Sequence, residues 1–220
     1  MKRTKLKDRL LPHYCKGEEI MNMVTHIVGG ALALLGSCIL VWKANGATHL
    51  LGALIYGLAM VGVYTMSSIY HGLRAGTGKK VMQVIDHCAI YFLIAGTYTP
   101  ILICAFLPVY PAIGWGLLGL QWGLAALAVT LTAIDLKKYK VFSMVCYIAM
   151  GWSIIFFLPQ TILVLTKAGF AWLLAGGIAY TIGAVLFGLG KKLPWMHAIF
   201  HIFVILGSAF QYAAILAYIY

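Results

Sequence analysis

Two histidines four residues apart, His197 and His201, lie in an apolar run near the end of the chain. In a helix, this spacing puts both imidazoles on one face with Cβ atoms about 5–6 Å apart, so both can bind one metal ion. A third histidine, His71, and one carboxylate, Asp86, lie in two other apolar runs. Zinc prefers nitrogen ligands, and catalytic zinc sites keep three protein ligands and one open position. The residue types therefore predict a zinc site with His71, His197 and His201 as ligands.

Asp86 is the only one of the five Asp and Glu residues that falls well inside an apolar run. It either accepts a hydrogen bond from water at the fourth position of the metal or binds the metal directly. Zinc, one carboxylate and one hydroxide sum to zero charge, which a low-dielectric site tolerates well. Zinc also lowers the pKa of its bound water to about 7 and so provides a nucleophile at neutral pH. The alternative is a structural ion pair of Asp86 with Arg74 or Lys79.

Two further stripes of polar residues share helical faces near the same level of the chain. They are Tyr64, Ser67 and His71 in one segment, and Glu19, Asn22 and His26 in another. Ser67 is a candidate for assisting catalysis, although a serine in a membrane helix often only hydrogen-bonds within its own helix. For His26 and His87, hydrogen-bonded packing is the simpler interpretation, and the sequence assigns them no role.

The elements that position these residues belong to a membrane protein. Of the 220 residues, 63% are hydrophobic and 10% are charged, whereas a soluble domain has about 45–50% apolar and about 25% charged residues. The net charge of +11 indicates topology and contact with anionic lipid headgroups, and nucleic acid is not an expected partner. The five cysteines form no CxxC pair, which argues against a disulfide framework or a cysteine metal site.

Runs of about 20 apolar residues are long enough to cross a bilayer, and the sequence predicts an all-α bundle of seven such spans. The predicted spans are 20–43, 49–72, 82–106, 111–134, 141–164, 168–189 and 195–218. They form one domain, 20–220, after a basic tail, 1–19. At about 1.5 Å per residue, the three histidines and Asp86 fall roughly 7–16 Å to the cytoplasmic side of the midplane.

The distribution of basic residues predicts the orientation. Of the 16 Lys and Arg residues, all but Lys43 and Lys167 lie in the tail and in the loops on the same side of the predicted bundle. Basic residues concentrate on the cytoplasmic side of membrane proteins. We therefore expect a cytoplasmic N-terminus and an external C-terminus.

The chain resembles the hemolysin III family, the bacterial members of the progestin and adipoQ receptor family, within an alkaline ceramidase-like superfamily of proposed membrane hydrolases. The resemblance covers about residues 17–213 and keeps the family's motif order. Its motifs are Glu18-Glu19-x-x-Asn22-x-x-Thr25-His26, Ser67-x-x-x-His71, Asp86-His87, Ala95-Gly96-Thr97-Tyr98-Thr99-Pro100 and His197-x-x-x-His201.

This resemblance implies a seven-helix bundle in the bacterial plasma membrane with an intramembrane zinc site. The family's zinc ligands correspond to His71, His197 and His201. Its span 3 aspartate, which lies near the zinc-bound water, corresponds to Asp86, and the serine beside the site corresponds to Ser67. Animal relatives are linked to ceramide hydrolysis, and bacterial relatives carry a hemolysin name.

Two hypotheses follow from these observations. The first is a zinc-dependent hydrolase of a lipid amide or ester at the cytoplasmic leaflet, in which Asp86 transfers the proton and Ser67 assists. The alternative is a non-enzymatic protein, either a zinc-stabilised pore or a receptor-like regulator of membrane homeostasis. A proton or ion conductor is a third hypothesis, but Asp86 lacks partners for a relay across the outer half. The sequence indicates neither the substrate nor the oligomeric state, and another divalent metal could replace zinc.

Overall fold

The computed structural model describes residues 4–190 and 192–220. Lys2, Arg3 and Lys191, which contribute to the predicted charge asymmetry, lie outside the described residues. The described residues form helices and connecting segments, without any strand. The helices are α1 Lys16–Lys43, α2 Ala47–Gly72, α3 Thr77–Pro100, α4 Pro111–Ile134, α5 Lys140–Trp152, α6 Leu158–Leu189 and α7 Met196–Tyr218. The segments Leu6–Asp8 and Ser153–Phe157 are 3-10 turns, and Ile101–Phe106 is a π-helical continuation of α3.

Within the described residues, six helical stretches are long and apolar enough to cross a membrane. The protein is thus all-helical and multi-pass, as the composition predicts. The fifth stretch, Lys140–Leu189, covers 50 residues and contains both predicted spans 141–164 and 168–189. It is interrupted at Thr166, whose φ of 65° and ψ of 168° are not helical. The count of seven spans and the orientation of the termini stay predictions.

The first helix begins at Lys16, four residues before the predicted span boundary, because Cys15 caps it. The Sγ of Cys15 accepts a hydrogen bond from the backbone N–H of Glu18, and the Glu18 carboxylate accepts one from the backbone N–H of Cys15. Such a reciprocal pair satisfies free N–H groups at the start of a helix. The other Glu18 oxygen accepts a hydrogen bond from the backbone N–H of Trp195, which has a positive φ of 66°. Glu18 therefore ties the start of α1 to the start of α7, where His197 lies.

Close approach of helices brings the histidine-bearing elements together. Helix α7 packs along α6 and also contacts α1, while α2 lies between α1 and α3. At Gly176 of α6, a Cβ atom would lie only 3.0 Å from the carbonyl oxygen of Gly207 in α7. Small residues at such positions let membrane helices pack backbone to backbone. Helix α7 thus lies close against α6, and its histidine-bearing face meets α2 at His71 and α1 at Asn22.

The segment before α1 folds back onto the end of α4. The Asp135 carboxylate accepts hydrogen bonds from the backbone N–H groups of Thr4, Lys137 and Lys138 at 2.7–3.1 Å. These hydrogen bonds, led by that from Thr4, hold the pKa of the Asp135 carboxyl below its ordinary value. The buried Arg9 guanidinium lies against carbonyl oxygens at the end of α4. This part of the predicted tail is therefore packed against the bundle.

Candidate metal centre

Three buried imidazoles from α2 and α7 converge on one point. The Nε2 atom of His197 lies 3.3 Å from Nε2 of His71 and 3.2 Å from Nε2 of His201. All three ligand atoms lie within 4.8 Å of one another. The structure thus brings together the three histidines that the sequence predicts as ligands.

The outer ring nitrogens of two histidines are held by residues of α1. The Nδ1 atom of His71 lies 2.7 Å from Oε2 of Glu19, and Nδ1 of His201 lies 3.1 Å from the carbonyl oxygen of Asn22. Because a carboxylate and a carbonyl only accept hydrogen bonds, both Nδ1 atoms carry the proton. The Nε2 lone pairs of His71 and His201 therefore point into the centre. Ligand histidines of metal sites are commonly oriented in this way.

Two of the three spacings between these nitrogens fit zinc. Zn–N bonds of about 2.0–2.1 Å in tetrahedral geometry place neighbouring nitrogens about 3.3 Å apart, which matches the observed 3.2 and 3.3 Å. Lone pairs on His71 and His201 cannot hydrogen-bond to each other; either an N–H on Nε2 of His197 or a bound cation can satisfy them. The donor set, three neutral imidazoles, is one that zinc prefers.

Asp86 and Ser67 lie beside this cluster but outside the group of converging ligand atoms that the described residues form. Ser67 and Asp86 line the same cavity. The alternative ion pair with Lys79 is not formed, because the Lys79 ammonium lies 2.6 Å from Oε1 of Glu19. The basic group nearest Asp86 in the described ion pairs is His87, with Nδ1 at 3.8 Å. Asp86 therefore faces the site without a lysine or arginine partner among the described residues.

A cavity of about 150 Å³ adjoins the histidines. Its polar end is lined by His26, Ser67, Asp86, His87, His197 and His201. From there it runs between apolar side chains of α3, α5, α6 and α7 as far as Trp152 and Gln211. The 14 residues from His197 to Gln211 correspond to about 21 Å along α7. The sequence did not indicate this cavity, because its wall is assembled from all the helices except α4.

Tyr14 is a further residue at the site that sequence reasoning missed. Its ring stacks on His197 with centroids 4.9 Å apart and lies 5.8 Å from the ring of His71. Burial raises the pKa of the Tyr14 hydroxyl well above its ordinary value, so the phenol is neutral. It covers the histidines on the side away from the cavity. The only local signal is its place next to Cys15, the cap of α1.

The two histidines without a predicted role differ in their surroundings. The Nδ1 atom of His87 lies 2.7 Å from the carbonyl oxygen of Gln83, one turn earlier in α3. This contact fits the packing interpretation for His87. His26 instead stacks on His201, with ring centroids 3.7 Å apart.

The family described as "Haemolysin-III related" matches residues 14–212 of the chain. The chain is 38% identical over 205 residues to "Hemolysin-3" of Bacillus cereus, with 92% of each chain covered. It is 36% identical over 204 residues to the "Hemolysin-3 homolog" of Bacillus subtilis (strain 168), with 91% of this chain and 94% of that protein covered. The human "Monocyte to macrophage differentiation factor" is 30% identical over 215 residues, with 92% of this chain and 85% of the factor covered. The bacterial relatives and the apolar helices indicate the plasma membrane. The chain therefore belongs to the haemolysin-III related family of multi-pass membrane proteins.

Proposed function

We propose that this protein is a metal-dependent hydrolase of a lipid amide or ester, with zinc bound by His71, His197 and His201. The observation that carries the proposal is the meeting of three buried imidazoles at the polar end of an apolar cavity. Convergent polar groups at one end of an apolar pocket are typical of small-molecule sites. The chemistry belongs to the cytoplasmic half of the membrane, where the predicted topology places these histidines.

The proposal includes seven spans with the N-terminus in the cytoplasm. A straight helix over the 50 residues of Lys140–Leu189 would be about 75 Å long, more than twice the bilayer core of about 30 Å. The non-helical Thr166 divides this stretch into 140–165 and 167–189, of about 39 and 34 Å. Each part has the length of one crossing, and the basic loops support a cytoplasmic N-terminus.

The residues around the histidines have separate tasks. Zinc bound there would polarise a carbonyl group and acidify water. Asp86 would accept the proton of the attacking water and pass it to the leaving amine or alcohol, as a general base and then a general acid. Ser67, which lines the same cavity as Asp86, would orient that carboxylate or hydrogen-bond to the developing oxyanion. Glu19 would keep the Nε2 lone pair of His71 directed at the metal.

The cavity suits a long acyl chain. Its wall beyond the polar end is mostly apolar, and it extends about 21 Å along α7 to Gln211. A lipid whose carbonyl lies beside Asp86 would place its hydrocarbon tail along this wall and keep it out of water. Burial of that tail would supply binding energy, since each buried CH₂ contributes about 0.8 kcal/mol.

Metal analysis and turnover together test the proposal. Purified wild-type protein should contain zinc, and His71→Ala and His197→Ala should lose it, while His49→Ala at the other end of α2 should not. Wild-type protein should hydrolyse at least one lipid in a panel of N-acyl and O-acyl lipids. Asp86→Asn should keep zinc and lose hydrolysis. Full activity of Asp86→Asn would show that Asp86 is not the general base. Wild-type protein that contains no metal after purification would contradict a metal-dependent hydrolysis.

The name of the Bacillus cereus relative, "Hemolysin-3", favours a second candidate, a membrane-permeabilising protein in which the metal only stabilises the bundle. This candidate predicts that a chelator lowers the melting temperature, that dye leaks from vesicles containing the protein, and that no lipid is hydrolysed. Hydrolysis by wild-type protein and not by His201→Ala would contradict it.

A further inference from the structure

His26 of α1 is a buried imidazole that the proposed reaction leaves without a task. Its ring lies flat against that of His201, with centroids 3.7 Å apart and 13° between the planes, and meets the Tyr64 ring edge-on at 5.1 Å. Only 3% of His26 is exposed. Contacts with α2 and α7 therefore fix the orientation of this ring.

Both ring nitrogens of His26 are buried, and neither has a hydrogen-bond partner among the residues that the structure describes. Burying polar nitrogens without partners is unfavourable, and buried polar groups in proteins are nearly always paired. His87 shows the contrast, because its Nδ1 is 2.7 Å from the carbonyl oxygen of Gln83. A histidine that serves only packing would be expected to find such a partner. The unpaired nitrogens of His26 therefore point to a ligand.

The place for that ligand is the cavity, which His26 lines next to Ser67 and Asp86. His26 is not part of the converging group, which in the described chain consists of His71, His197 and His201. Since the ring of His26 is nearly parallel to that of His201 and 3.7 Å from it, its in-plane nitrogens are offset from the centre to which His201 points. The geometry favours an organic ligand over a fourth metal bond.

We propose that His26 is a substrate-contacting residue that hydrogen-bonds to the polar head of an acyl lipid while the acyl chain lies along the apolar wall. The choice of an acyl lipid rests on the proposed function. Neutral imidazole carries one N–H donor and one acceptor nitrogen, which point away from each other, so one of them faces a given polar group. That nitrogen would donate to a carbonyl oxygen of the head or accept from its N–H or hydroxyl group.

Binding of two probes with the same chain tests this inference. Hexadecylurea has an amide-like head that donates and accepts but resists hydrolysis, and hexadecane has no polar head. A change in the fluorescence of the purified full-length protein, in which one of the six tryptophans, Trp152, lines the cavity, reports binding. His26→Phe keeps an aromatic ring and removes both nitrogens. We expect it to weaken hexadecylurea binding about 10-fold, the effect of one lost hydrogen bond, and to leave hexadecane binding unchanged.

Two further variants control for packing. His26→Asn retains a donor and an acceptor and should bind hexadecylurea within about 3-fold of wild type, a difference below that of one hydrogen bond. His49→Phe makes the same change 22 residues before His71, about 33 Å away along α2, and should alter neither affinity. In wild-type protein labelled with ¹⁵N-histidine, the ring resonances of His26 should shift with hexadecylurea and not with hexadecane. This last measurement needs no substituted protein to fold.

His26 would be only a packing residue if His26→Phe bound hexadecylurea as tightly as wild type, or lost affinity for both probes equally. Unchanged His26 resonances with bound hexadecylurea would also overturn the inference. Hydrolysis is a separate readout. Binding of hexadecylurea through His26 without turnover of any acyl lipid would support this contact and overturn the hydrolase. Turnover with a His26 that contacts no probe would do the reverse.

Discussion

Removing the carboxylate behind His71 should weaken zinc binding without removing a ligand. The Glu19 carboxylate bridges His71 Nδ1 at 2.7 Å and the Lys79 ammonium at 2.6 Å. Losing such an outer partner of a ligand histidine typically costs 10–100-fold in metal affinity. Because a charge-assisted hydrogen bond is about twice as strong as a neutral one, Glu19→Gln should lie near the lower limit. Glu19→Ala should approach the upper limit, which corresponds to about 2.7 kcal/mol.

Competition with a chromogenic zinc chelator in detergent solution measures this change. In Glu19→Ala, the buried Lys79 would lose its carboxylate partner, and the fold could be destabilised. The double variant Glu19→Ala/Lys79→Met removes both charges and so separates a stability defect from an affinity defect. Asp8→Ala removes an exposed carboxylate before α1 and should leave the affinity unchanged. If Glu19→Ala folds and binds zinc as tightly as wild type, then the Glu19 contact does not orient His71.

Three other perturbations have distinct expected outcomes. Gly177→Leu places a side chain in the cavity wall. In a chain-length series, it should lower the binding of long acyl chains more than that of short ones. Gly188→Leu should not, because a Cβ atom at Gly188 has no neighbour within 4 Å. Tyr14→Ala should speed the loss of zinc to a chelator, measured by stopped flow, because the ring that covers His197 is gone; Tyr14→Phe should not. The lowered pKa of Asp135 stabilises the fold above the unfolded-state value of about 3.9, and this contribution is lost as the pH falls through the lower folded-state pKa. The melting temperature should therefore fall less on acidification from pH 5 to pH 2.5 in Asp135→Asn than in wild type.

The convergence of the three histidines could be predicted because its signal is local. Spacing of four residues puts His197 and His201 on one helical face whatever surrounds the helix. The apolar runs around them fix their depth, and His71 reaches the same depth from the end of α2. The structure brings these three side chains together, and the stripe that contains Glu19 and Asn22 faces them as its spacing suggested.

The features that escaped prediction depend on unusual local chemistry or on distant contacts. Cys15 caps α1 through its sulfur, although serine, threonine, aspartate and asparagine are the usual caps, so the helix starts earlier than the apolar run. By contrast, the non-helical Thr166 falls in the break that the sequence predicts between spans 141–164 and 168–189. The position of Tyr14 over His197 follows from how a connecting segment folds back, which no periodicity records.

The charges around the histidines suit the two carboxylates to the different tasks proposed for them. Glu19 forms an ion pair with Lys79, so this pair adds no net charge and leaves Glu19 to orient His71. Asp86 lies on the cavity side, its side chain 15% exposed, with neither lysine nor arginine paired to it in the described part of the chain. A carboxylate in such surroundings is costly unless a cation lies close to it. Because the three imidazoles are neutral when they bind a metal, a divalent ion among them is the charge that Asp86 would balance. The same ion would acidify water beside Asp86, the carboxylate that lines the cavity, which is why zinc binding and hydrolysis are proposed together.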